Sequence, residues 1–150
     1  MINPDLAFSA INLLVFPAWA LLIFAPHWRW TDRLVHAALW PLVFGALYLI
    51  WVSSAIFFEQ GDENANFSTI EGVRAIFASD IGVLVGWIHY LVFDLFVGAW
   101  IARDGRRRGV PHLPLIPCLL LAFMFGPVGL LLYLIMRKLM GKGGWSLMEG

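Results

Sequence analysis

Charge is missing from four long stretches of this chain, and that spacing constrains the fold more than any motif does. Residues 6–26, 34–58, 81–102 and 113–136 contain no Asp, Glu, Lys or Arg except Asp94. Each stretch, wound as a helix, is roughly 31–38 Å long, enough to cross the ~30 Å hydrocarbon core of a bilayer. Lipid offers backbone amides no partners, so spans of this kind must be helices. With 61% hydrophobic residues, a soluble domain of this size has nowhere to bury its apolar surface. The expectation is all-α: a four-helix transmembrane bundle forming a single integral membrane domain over residues 1–150.

Several function classes fall away at once. A formal net charge of zero argues against nucleic-acid binding. Cys118 is the one cysteine, so neither a disulfide framework nor a cysteine-based metal site is available. His27, His36 and His112 fall near helix ends without a His-x-x-x-His or carboxylate–histidine pattern, so no metal is expected. The N-terminus has no basic leader region, and the first apolar stretch reads as a retained helix.

The connections set the order of packing. Pro17 frees the carbonyl of Leu13 and predicts a kink in the first helix. His27 to Arg33 is a tight link with Trp28 and Trp30 at headgroup level, which makes helices one and two an antiparallel pair. The segment from Glu59 to Asp80 holds five acids and one arginine. Within it Ser68-Thr69-Ile70-Glu71 matches a capping box, with Ser68 as the cap. Ile70, Val73 and Phe77 then share one face, predicting a short amphipathic interfacial helix over about residues 69–78, between helices two and three. Arg106 to Arg108 belong on anionic headgroups, and the glycine-rich tail, 141–150, is expected to be flexible. The two short connections carry six Lys/Arg against four elsewhere, which leans towards both termini outside the cytoplasm.

Asp94 is the residue that asks for an explanation. A carboxylate at mid-membrane costs about 2.5–3.5 kcal/mol. His89, five residues earlier, lies about 140° around the helix, whereas Tyr90 shares Asp94's face, and Gly82, Gly86 and Gly98 continue that row. A glycine row admits a close neighbouring helix. Two readings stand: a polar clamp between helices, or an acid or base in a dry pocket. Phe125-Gly126-Pro127-Val128-Gly129 interrupts the fourth helix, exposing the Phe123 carbonyl and removing bulk at Gly126 and Gly129. That is either kinked packing or a groove for a flat ligand. Asn12, Ser53 and Ser54 suit helix-to-helix hydrogen bonds. Tyr48, Trp19 and Trp87 suit core packing or the lining of a site for an extended apolar molecule.

Taken together, these motifs resemble a known family. They are Asn12-x4-Pro17-x-Trp19 with Pro26; Ile70-Glu71-Gly72-Val73-x-x-Ile76-Phe77; Trp87-Ile88-His89-Tyr90-Leu91-Val92-Phe93-Asp94-Leu95; Asp104; and Phe125-Gly126-Pro127-Val128-Gly129. Their order resembles the neoxanthin-synthase-like family of small membrane proteins, named for a plant abscisic-acid-deficient protein, over about Ile2 to Arg137. Plant members open an epoxide of violaxanthin to the allene of neoxanthin in plastid membranes. This chain has no transit stretch and reads as a bacterial-type member, a multi-pass protein of the inner membrane.

What the resemblance implies is a carotenoid or related isoprenoid ligand and acid–base isomerisation. That reaction delivers a proton to the epoxide oxygen, removes another from a neighbouring carbon and needs no cofactor. Asp94 and His89, helped by Tyr90 or Asn12, are the residue types for it. Tyr48, Trp19, Trp87, Gly126, Pro127 and Gly129 are the expected substrate contacts. The expected partners are membrane lipids, the isoprenoid ligand and a second copy of the chain. The rival expectation is a non-catalytic membrane subunit or assembly factor with Asp94 locking helices together. A proton-coupled transporter is disfavoured, because four helices with one acid offer little pathway.

Overall fold

Six helices account for the regular structure among the described residues, 3–57 and 62–148 of a computed structural model. They are α1 (Pro4–Phe24), α2 (Arg29–Leu34), α3 (Leu39–Phe57), α4 (Ile70–Ile76), α5 (Asp80–Arg107) and α6 (His112–Leu139). No strand occurs among these residues, and the fold is all-α. Four stretches are long and apolar enough to cross a membrane: Pro4–Phe24, Arg29–Phe57, Asp80–Arg107 and His112–Leu139. At most 39% of any of them is buried within the protein, so most of their apolar surface is left for lipid. This is a multi-pass membrane protein. The expected end of helix two at Phe58, with Glu59, lies outside the described residues.

The chain divides into two units. Unit 1 is Met1–Leu14 with Trp40–Val92, and unit 2 is Val15–Leu39 with Phe93–Gly150. In unit 1, α4 is capped one residue later than the sequence suggested. The extended residue is Thr69, whose Oγ1 accepts from the Gly72 amide at 3.0 Å. Ser68 donates its own amide to Asn66 Oδ1 at 3.0 Å instead. Gly72 is required here, because a Cβ would collide with the Asn66 side chain. Ile70, Val73 and Phe77 remain exposed, as an interfacial face demands. The first two glycines of the α5 row receive α4: Gly82 lies against the Ile76 carbonyl and Gly86 against the Phe77 ring.

In unit 2 the link after α1 is itself helical. The Ala25 carbonyl accepts from Thr31 Oγ1 at 2.6 Å, and the Ile23 carbonyl lies 2.8 Å from His112 Nε2. These contacts satisfy carbonyls that the end of α1 leaves open. The second span restarts at Leu39 because Pro41, which lacks an amide, is tolerated only in a first turn. α1 itself continues through Pro17 as one helix.

The fourth apolar helix does not run straight. Phe125 (φ −147°, ψ 45°) and Gly126 (φ 0°, ψ −71°) leave helical geometry, at the interruption the sequence marks. Proline disfavours helical backbone in the residue before it, and Pro127 also withholds an amide. The consequence is larger than a kink. Cys118 Sγ and Met136 Sδ are 4.0 Å apart, although 18 residues of straight helix would separate them by about 27 Å. Gly129 lies so close to the Cys118 carbonyl and the Ala122 backbone that a Cβ would not fit. The two arms, 112–124 and 127–139, therefore pack antiparallel as a hairpin. Each is roughly 20 Å long, the length of a re-entrant segment rather than a span.

Folding back carries the chain's C-terminal end to the connection after α5. Nine of the ten Lys/Arg residues consequently belong to unit 2, with Arg74 alone in unit 1. The tail therefore lies with the basic residues that follow α5, at one end of unit 2.

Candidate functional site

At the tip of the hairpin stands Asp94. Its side chain is buried, with 7% exposure, and a Cβ on Gly126 would overlap its Oδ1. The carboxylate therefore rests against bare backbone at the break in α6. Ten residues separate Asp94 from Asp104 on α5, about 15 Å of helix, so the tip reaches roughly mid-membrane depth. One turn after Asp94, Gly98 makes room for the Trp19 ring of α1. Trp19 is 2% exposed and packs on Phe123 at a centroid distance of 5.2 Å. Its Nε1 is buried with no acceptor among the described residues. Unit 2 thus brings together Asp94, Trp19 and Gly126. Gly129 and Pro127 follow on the return arm, Gly129 buried in the arm contact and Pro127 exposed.

The remaining expected site residues lie in unit 1 and form two groups. Asn12 Nδ2 donates to the Phe8 carbonyl at 2.9 Å, and Asn12 Oδ1 accepts from Trp87 Nε1 at 2.9 Å. Trp87 also stacks on Tyr90, with centroids 5.2 Å apart and planes 17° apart. Asn12 is therefore a bridge between α1 and α5, the hydrogen-bonding role that asparagine commonly takes in membranes. Tyr48 and His89 form the second group, ring to ring at 6.0 Å, with His89 exposed.

A third cluster centres on Asp104, which the sequence marked only as part of the family pattern. α5 continues to Arg107, beyond the end of the uncharged run at Ala102. That puts Asp104 on a helix and inside the protein, with 1% exposure. Asp104 Oδ2 accepts from Tyr133 Oη and from Arg137 Nη1, both at 2.5 Å, and Arg108 Nε reaches both carboxylate oxygens at 2.8 Å. Tyr133 and Arg137 are fully buried. Arg137 Nη2 then donates to the Gly144 and Ser146 carbonyls at 2.5 and 2.8 Å, and Lys138 Nζ sits 4.4 Å from the Trp145 ring centroid. The tail that its glycines marked as flexible is thus fastened through residue 146 by specific bonds. Two helical spacings carried the signal: Asp104-x3-Arg108 and Tyr133-x3-Arg137 each share a face. An acid among four arginines was the other clue.

His27, His36 and His112, which fall near helix ends, line a small cavity of about 30 Å³ with Arg106 and Leu115. Among the described residues no group of three or more His, Cys, Asp or Glu is placed to hold a metal.

Comparison with known proteins follows the same residues. Residues 6–133 match the family model described as ABA DEFICIENT 4-like. The chain is similar to Protein ABA DEFICIENT 4, chloroplastic, of Arabidopsis thaliana, at 22% identity over 140 residues, covering 90% of this chain and 62% of that protein. The chain thus spans about three fifths of the curated relative's length. No solved structure matches it.

Proposed function

Because the chain belongs to the ABA DEFICIENT 4-like family, we propose that it binds a carotenoid or related isoprenoid lipid inside the membrane and isomerises it by acid–base chemistry at Asp94. The observation that carries this reading is the buried Asp94 carboxyl against the broken backbone at Gly126. Opening an epoxide to an allylic or allenic alcohol breaks one C–O bond, adds a proton to oxygen and removes one from carbon. The net proton change is zero. One carboxyl group suffices, giving a proton from one oxygen and accepting at the other. Trp19, Phe123 and Gly126 supply an aromatic wall and bare backbone beside it, suited to a flat polyene. A bacterial inner membrane is the proposed location. His89, Tyr90 and Asn12 belong to the other unit, and their part is a separate question for substitution.

The Gly126 contact also favours a second reading, in which the carboxyl serves only to hold the hairpin tip and the chain is a non-catalytic membrane subunit. Asp94→Asn distinguishes them. Purified from its host in mild detergent, the parent is expected to show a polyene absorption band, with the isomerised product in its lipid extract. The variant should keep its thermal stability and bound pigment while losing turnover. A variant that fails to assemble, or a stoichiometric protein partner in place of pigment, establishes the clamp reading instead.

A further inference from the structure

Trp19 holds a hydrogen-bond donor that the fold does not use. Its side chain is 2% exposed, yet Nε1–H meets no acceptor among the described residues. Buried indole N–H groups nearly always have a partner, and hydrocarbon supplies none. Nor is the ring free to turn elsewhere. It is wedged between Gly98, where a Cβ would not fit, and Phe123, 5.2 Å away. Gly98 lies one turn after Asp94 on α5, and Phe123 one turn before Gly126 on α6. The ring that carries the idle donor therefore packs at the same hairpin tip as the carboxyl group, with its benzo edge against Gly98.

We propose that Trp19 is a specificity-determining residue: its indole N–H donates to an oxygen of the bound molecule, so the hairpin tip selects oxygen-bearing isoprenoids over their hydrocarbon analogues. A ligand oxygen completes a donor already fixed in place by packing, while a pure hydrocarbon leaves that donor buried and unsatisfied. The aromatic wall accepts both kinds of molecule equally, and discrimination rests on the N–H. This inference builds on the isoprenoid reading above and adds the residue that reads the ligand's oxygen.

The test compares ligand pairs differing by one oxygen: β-carotene with its 5,6-epoxide, and farnesane with farnesol. Each is titrated into the full-length protein and into Trp19→Phe in detergent, with melting curves recorded for both. The parent should bind the oxygenated member of at least one pair about tenfold more tightly, the factor expected of one net hydrogen bond. Trp19→Phe should bring that ratio close to one, whatever the smaller ring does to the affinity for both members of a pair. Incorporation of 3-benzothienylalanine at position 19 keeps the bicyclic shape without the N–H, and serves if the phenylalanine variant is unstable. Discrimination that survives loss of the N–H, or a parent that discriminates within neither pair, overturns the assignment. Discrimination within the farnesol pair alone upholds Trp19 and refutes the carotenoid reading.

Discussion

Deleting the Asp104 carboxylate leaves Arg137 charged, fully buried and without its counter-ion. The two tail carbonyls that also bind Arg137 are dipoles and do not neutralise it. Breaking a buried pair by removing one partner costs about 3–5 kcal/mol, most of it the penalty of the stranded charge. Asp104→Ala also strands Tyr133 Oη, which favours the upper part of that range. For a chain of this size each kcal/mol moves Tm by roughly 2–4 °C, so a loss of roughly 6–20 °C is expected. The assay is thermal unfolding of purified protein in mild detergent, followed by circular dichroism. Replacing both partners, as in D104A/R137M, removes the stranded charge and should recover at least half of the loss. An Asp104→Ala protein melting within 1 °C of the parent would refute the argument that this cluster holds the return arm. So would a double variant no better than the single one.

Other consequences are open to direct measurement. In a Cys118→Ala background, Arg107→Cys and Ser146→Cys should react with a membrane-impermeant maleimide from the same face of the membrane, whereas a straight α6 requires opposite faces. A double-mutant cycle between Asn12→Ala and Trp87→Phe should give a coupling of about 0.5–1.5 kcal/mol; additivity would deny the bridge between α1 and α5. Thr69→Ala should speed hydrogen exchange in residues 70–76 through loss of the helix cap, while Ser68→Ala leaves it unchanged, and the opposite result restores Ser68 as the cap.

Some of this protein is written locally. The four uncharged runs become helices because a bilayer leaves the backbone no alternative. The turn point in α6 is equally local, since Pro127 and its flanking glycines break a helix whatever surrounds them. The carboxylate of Asp94 is buried for a similar reason: a charge-capable group in an apolar run must face protein or pay heavily in lipid. Other features gave only partial signals. The interfacial helix was visible from Ile70, Val73 and Phe77, but its cap was not, because Ser68 and Thr69 are equivalent until the backbone places one of them in extended geometry. Likewise Pro41 marks a first turn, yet only its neighbours show that α2 closes before it.

Whether the last apolar run crosses the membrane or returns was beyond the reach of pattern. Twenty-four uncharged residues accommodate one long span or two short arms equally well, and hydropathy has the same value for both. The choice was made by residues distant in sequence: Asp104 receiving Tyr133 and Arg137, and Gly129 admitting the backbone at Cys118 and Ala122. Chain composition dictates that this molecule lives in lipid and is helical, because solvation acts on each residue separately. Pairing between remote residues is a property of position in space, and it decided that the broken fourth helix folds back with Asp94 at its tip.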